Sequence, residues 1–342
     1  MIQKVSAAVF LSLADEYCLA DVRSPAEFAE GHIPGSMNIP LFNDEERSVI
    51  GTLYHKQGRE QAILKGLDIA LPKVSGYIRS VRKEVQGKKL AIHCWRGGMR
   101  SEMMAEVFRK AGYSVILLEG GYKAYRHFIR DSFSAKANII VLGGFTGCGK
   151  TEILAALADK GEQVIDLEHL ASHKGSVFGA LGQRPQPTNE QFENELYRIW
   201  SGMDLTKRLW LEDESRSIGR VALPPPVFEQ ISEARMIQVF MDKTLRIDRL
   251  VEEYSCFPKE MLAAAIIKIH DGLGGSRSKL ALEALGEGDF AEVADFVLEY
   301  YDKAYQKAID KRKNKDITGI RLEGSDARHH ASQILLRFKE TL

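Results

Sequence analysis

The stretch AIHCWRGGMRSEMMAEVF, residues 91–108, joins a short apolar run to a glycine-bearing turn and then to a helical pattern. A strand that ends in Cys94, turns through Gly97 and Gly98 and enters a helix is a unit of a parallel α/β sheet. Cys94 therefore sits where backbone amides converge and the helix dipole is positive, which stabilises a thiolate or a bound anion. Arg96 and Arg100 add positive charge, and the two glycines let the backbone curl without side-chain clashes. Cys94, five residues, then Arg100 and Ser101 is also the spacing of a cysteine phosphatase, so these residues alone leave a phosphate ester and a chalcogen atom both open. His93 reads as a packed strand-end side chain rather than a general base.

Working outward, YCLADV and LAIHC read as strands, SEMMAEVFRKAG as a helix stopped at Gly112, and SVILLEGG as the next strand. The segment DSFSAKA, near residues 131–137, is polar and has no periodic face, and the strand NIIVLGG follows at once. The expected domains are residues 1–133 and 134–342. Later strands are expected at QVIDL, RLWLED and MIQVFM, and Pro224–Pro226 must break any helix that reaches them.

The 342 residues suffice for two domains with separate cores, and 44% hydrophobic with 27% charged residues describes a globular chain. Lys plus Arg (47) equals Asp plus Glu (47), so no basic surplus advertises nucleic acid, and an RNA partner would need a local patch. The four cysteines lie far apart, which argues against a disulfide framework or a zinc site and for a reducing cytoplasm. The N-terminal run after Lys4 faintly imitates a targeting segment but ends in Asp15 and Glu16 without a clear cleavage site. No apolar run approaches the roughly 20 residues that span a bilayer.

The second expected domain opens with NIIVLGGFTGCGKTEILAAL. Gly144, Gly149, Lys150 and Thr151 fill the pattern GxxxxGK[ST] between a strand and a helix, the context that a phosphate-binding loop requires. Gly144, Thr146, Gly147, Cys148 and Gly149 would offer backbone amides to phosphate oxygens. Lys150 would supply a point charge and Thr151 a hydroxyl to Mg2+. Acidic strand ends at VIDLE and LWLEDES supply carboxylates, with Asp166 and Asp213 preferred over Glu168 and Glu214 as metal ligands beside Thr151. A lysine face at Lys303, Lys307 and Lys311, extended by Arg312, Lys313 and Lys315 with Tyr301 and Tyr305 beside it, is a candidate RNA surface, as are Arg216 and Arg220.

The segments DVRSPAEFAEGHIPGSMNIP (21–40), HCWRGGMRS and LEGGYKAY, in that order, resemble the rhodanese family, although the loop between Cys94 and Arg100 is longer than small rhodaneses commonly have. Followed by GGFTGCGKT, VIDLEHLASHKGSVFG, QPTNEQFENEL and LWLEDESRSIG, they closely resemble the tRNA 2-selenouridine synthase family from about residue 6 to 255. The resemblance implies an α/β fold: a rhodanese-like parallel-sheet domain, then a P-loop NTPase-like α/β domain with C-terminal helices. It implies a cytoplasmic enzyme acting on the wobble uridine of tRNA in two steps. The sulfur of 2-thiouridine is alkylated from geranyl diphosphate, and selenium from selenophosphate then replaces the S-geranyl group. Cys94, with Arg96, Arg100, Gly97 and Gly98, would carry the selenium as a selanyl adduct, while the Lys150 loop with Arg216 would hold the diphosphate. No tightly bound cofactor is expected beyond Mg2+, and no membrane; the enzyme that makes selenophosphate would be a further partner, and a single chain is the simplest assembly. A P-loop kinase or ATPase with a regulatory rhodanese or rhodanese-fold phosphatase domain is the alternative.

Overall fold

The computed structural model describes residues 2–85, 87–312 and 314–339. Contacts divide the chain into two compact units, Met1–Ser132 together with Glu193–Tyr197, and the rest. The boundary thus falls within the polar segment near residue 133, and the short piece Glu193–Tyr197 groups with the first unit.

The first unit is built on five parallel strands, β1 (Gln3–Val5), β2 (Cys18–Asp21), β3 (Met37–Asn38), β4 (Lys89–His93) and β5 (Ser114–Leu118), in the order β1-β5-β4-β2-β3. Helices cover both faces, as a parallel sheet requires. Alternation along β4 sends Leu90, Ile92 and Cys94 into the layer of Val81, Met104 and Phe108, while Ala91 joins Phe10, Tyr122 and Ile129 on the other face. The N-terminal run that imitates a targeting segment forms edge strand β1 and the helix Ala7–Ser12, with Phe10 fully buried.

The second unit has β6 (Asn138–Gly144), β7 (Gln163–Val164), β8 (Arg208–Glu212), a small antiparallel hairpin β9 (Ser217–Ile218) and β10 (Val221–Ala222), then β11 (Arg235–Phe240) and β12 (Ile317–Arg321). Five of them form a parallel sheet in the order β12-β11-β6-β8-β7. The expected strand QVIDL shrinks to two residues, because Asp166 already caps the helix Leu167–Ala171 by accepting from the His169 amide at 2.8 Å. Pro224 and Pro225 open a helix, Pro225–Glu233, since proline's missing N–H has no partner to lose in a first turn. Beyond the sheet, the helices Lys259–Lys268, Gly275–Glu287 and Phe290–Lys311 bury a core of their own around Leu262, Ile266, Leu285 and Val297. Among the described residues no helix is long and apolar enough to cross a membrane.

Candidate functional site

The cysteine loop is held by a second loop of the same unit. Gly97 has φ +65°, and a Cβ there would lie 2.8 Å from the Leu118 carbonyl oxygen and 2.9 Å from the Gly120 nitrogen. Gly121, at φ +62°, is equally confined, its Cβ position lying 2.4 Å from the Cys94 carbonyl oxygen. The amides of Tyr122 and Lys123 donate to the carbonyls of Cys94 and Trp95 at 2.8 and 2.9 Å. The motif LEGGYK therefore acts as a backstop that fixes the loop's curl. Cys94 is 3% exposed, with Sγ 3.3 Å from Ser101 Oγ, which itself donates to the Gly98 carbonyl at 2.9 Å.

The two loop arginines differ. Arg96 is exposed, whereas Arg100 donates through Nη1 to Glu27 Oε2 at 2.6 Å and through Nη2 to Oε1 at 3.3 Å. Glu27 also accepts from the Ser24 amide in the capping box of the helix Pro25–Glu30, so the carboxylate is fixed from both sides. His93 is fully buried with neither ring nitrogen hydrogen-bonded among the described residues; burial pushes it down from the usual imidazole range, although Asp21 pulls the other way. It packs edge-on against Phe10, with ring centroids 6.1 Å apart. Asp21 and Arg23 form a buried pair at 2.6 Å, and Arg23 also donates to the Gly31 carbonyl.

In the second unit the phosphate-binding loop lies between β6 and the helix Lys150–Asp159, with Gly147 and Gly149 at φ +83° and +72°. Lys150 Nζ donates to the Gly144 carbonyl at 3.2 Å. Burial works against its charge, but Glu212, Glu168 and Glu214 outweigh it and keep the ammonium protonated. Arg246, whose side chain is 5% exposed, braces the loop from behind: it donates to the Thr146 carbonyl at 3.2 Å and pairs with Asp302 at 2.8 Å. Cys148 is buried, its thiol pushed up by desolvation, and serves as filler.

The carboxylates around Thr151 are not the expected pair. Thr151 Oγ1 donates to Glu212 Oε1 at 2.9 Å and reaches Glu168 Oε2 at 3.4 Å. Oxygens of Glu168, Glu212 and Glu214 lie within 4.8 Å of one another. Burial and mutual repulsion push Glu168 up to about 9 and Glu214 to about 7. Asp213 instead pairs with Arg312 at 2.9 Å, and Asp166 is spent as a helix cap. A hydroxyl and three carboxylates suit a hard divalent cation, so Mg2+ fits at Glu168, Glu212 and Glu214 beside Thr151 rather than at Asp166 or Asp213.

Three groups that read as part of an RNA surface turn inward. Tyr305 accepts from the Gly144 amide at 2.8 Å, and Arg312 is 7% exposed in its side chain and also donates to the Ile231 carbonyl. Tyr301 accepts from the Val177 amide at 2.8 Å. Lys303, Lys307 and Lys311 remain exposed, Lys315 donates to the Ile309 and Asp310 carbonyls, and Lys313 lies outside the described residues. Lys150, Thr151, the three glutamates and Arg216 line a cavity of about 1190 Å3.

Two family models match the chain. Residues 6–127 match the rhodanese-like domain and residues 137–283 the tRNA 2-selenouridine synthase AAA domain. A tRNA 2-selenouridine synthase of Shewanella piezotolerans is 33% identical over 344 residues, covering 89% of this chain and 92% of the relative. Those of Sulfurovum sp. and Marinobacter nauticus are each 34% identical, covering 87% of this chain in both cases and 90% and 89% of the relatives.

Proposed function

The chain belongs to the tRNA 2-selenouridine synthase family, and on that premise we propose that it converts the wobble 2-thiouridine of tRNA to 2-selenouridine in two steps. In the first, the thione sulfur bonds to C1 of geranyl diphosphate as the C–O bond breaks and diphosphate leaves. Lys150 and the amides of Gly147 and Gly149 absorb the charge that develops on the leaving group, the Cys148 amide being taken by the Phe145 carbonyl at 3.2 Å. Bound at Thr151 and the three glutamates, Mg2+ would neutralise further charge there. In the second step, selenium from selenophosphate, held at the Cys94 loop, bonds to C2 of the uridine. The geranyl thiol departs, and water takes the phosphoryl group as inorganic phosphate, so no net oxidation occurs.

The observation that carries this reading is the presence of two loops built for anions in one chain, a buried thiol with Gly97 clamped by LEGGYK and a lysine–threonine phosphate loop. The anionic donors of the two steps match them one to one. Purified protein given thiolated tRNA and geranyl diphosphate should yield an S-geranyl nucleoside by mass spectrometry, and added selenophosphate should convert it. Cys94→Ala should stop after geranylation and Lys150→Ala before it. ATP turnover lost in Lys150→Ala, with neither nucleoside formed by the wild type, would instead establish the kinase or ATPase alternative.

A further inference from the structure

The large phosphate cavity has an apolar annex. A hollow of about 60 Å3 is lined by Phe178, Leu262, Phe290, Val293 and Val297, and it shares Thr146, Ser176, Leu250, Tyr254 and Tyr301 with the cavity around Lys150. Thr146 belongs to the phosphate-binding loop itself, so a chain attached to a phosphate held there meets an apolar wall at this junction. Three of the polar tips in the walls are already engaged. Tyr301 accepts from the Val177 amide at 2.8 Å, Tyr254 bonds Ser176, and Ser176 accepts from the Phe178 amide at 3.2 Å. Apart from the hydroxyls of Thr146 and Ser255, what remains toward the hollow is ring face and aliphatic carbon.

Such a lining selects its guest. A purine or pyrimidine carries donors and acceptors that would lose their water without replacement, a cost that a hydrocarbon does not meet. At about 60 Å3 the hollow is smaller than the ~150 Å3 cavity that holds benzene, so it admits a few carbon atoms, with the rest of a chain lying against Leu250 and Tyr254. We infer that this hollow is the tail site for an alkyl diphosphate, entered between Leu250 and Tyr254. The inference rests on the alkyl-transfer reading above and adds to it where the hydrocarbon goes and which residues measure its length.

Calorimetric titration of the full-length protein with inorganic pyrophosphate and with geranyl diphosphate, in Mg2+, tests it. Wild type should bind geranyl diphosphate at least about tenfold more tightly than pyrophosphate, as burial of a few methylenes requires. Leu250 is only half-buried, so Leu250→Trp can fold while closing the entrance. It should keep pyrophosphate affinity within about twofold, lose the geranyl preference and still accept the five-carbon dimethylallyl diphosphate. Tyr254→Ala opens the same entrance and should admit the fifteen-carbon farnesyl diphosphate. Retention of the geranyl preference by Leu250→Trp, with no gain of the longer chain in Tyr254→Ala, places the tail elsewhere and leaves the diphosphate reading standing. No preference in the wild type removes both.

Discussion

Arg100 and Glu27, 73 residues apart in the chain, meet through two hydrogen bonds of 2.6 and 3.3 Å. The arginine that gives the cysteine loop its phosphatase-like spacing is therefore aimed by the carboxylate of a neighbouring helix start. A guanidinium held in this way keeps its charge near the loop but has part of its donor fork occupied.

Stability should depend on that pair in a definite pH direction. Burial pushes the Glu27 carboxyl upward, but the hydrogen bond and charge of Arg100 outweigh it and hold the group below its ordinary 4.5. A lowered carboxyl contributes stability above its unfolded value and loses it as pH falls through the folded one. Glu27→Gln should therefore cost about 1 kcal/mol at pH ~7, with the gap to wild type closing below pH ~4. Urea unfolding of both proteins across that range reads the effect, and a gap that widens in acid contradicts it.

Gly97→Ala should act on one step only. At φ +65° the added Cβ would meet the Leu118 carbonyl at 2.8 Å, and the obstacle is backbone, which cannot rotate away. The expected cost is roughly 2 kcal/mol or more. Selenium incorporation should fall with it, while S-geranylation, assigned to the other unit, continues. Nucleoside mass spectrometry separates the two, and equal loss of both steps in folded protein would contradict the assignment.

At the phosphate loop, Glu212 takes the Thr151 hydroxyl at 2.9 Å from the end of β8. Glu212→Gln keeps the shape and removes the charge. It should raise the Mg2+ concentration needed for half-maximal S-geranylation about 10- to 100-fold, in line with lost ligands or ligand-orienting groups. Asp213→Asn, which disturbs the Arg312 pair instead, should lower thermal stability and leave the Mg2+ dependence nearly unchanged.

This contrast shows why the site was legible only in part. The loops at Cys94 and Lys150 are contiguous in sequence, so spacing and glycine placement predict strand, turn and helix together, and the structure has them in that order. The carboxylates were not separable this way. Glu212 and Asp213 are adjacent, and alternation at the strand end sends one to Thr151 and the other to Arg312. Tyr305 and Arg312 read as a solvated basic face because their partners, Gly144 and Asp213, lie 161 and 99 residues away. Gly143 held a trace of the answer. A Cβ there would lie 2.6 Å from the Tyr305 hydroxyl, yet a glycine pair before a phosphate loop needs no such explanation in sequence.

The last prediction concerns Arg246, which donates to the Thr146 carbonyl of the phosphate loop from behind and so acts by position rather than by contact with substrate. Its guanidinium spans Asp302 with two bonds of 2.8 Å and lies 5.3 Å from the Phe145 ring centroid, so one side chain ties the loop to the helix Phe290–Lys311. Arg246→Ala strands a partly buried Asp302 and should destabilise the protein by about 3 kcal/mol, the usual result of breaking a buried pair. Arg246→Lys keeps the charge without the fork and should recover thermal stability more than function, because an ammonium cannot hold Asp302 twice and Thr146 as well. In S-geranylation assays the lysine variant should show a raised KM for geranyl diphosphate with kcat changed less, since a loosened loop weakens binding before it alters chemistry. A double-mutant cycle with Asp302→Asn completes the argument. The two changes should be strongly non-additive in both stability and KM if the pair works through the loop, and additive in KM if Arg246 matters to packing alone.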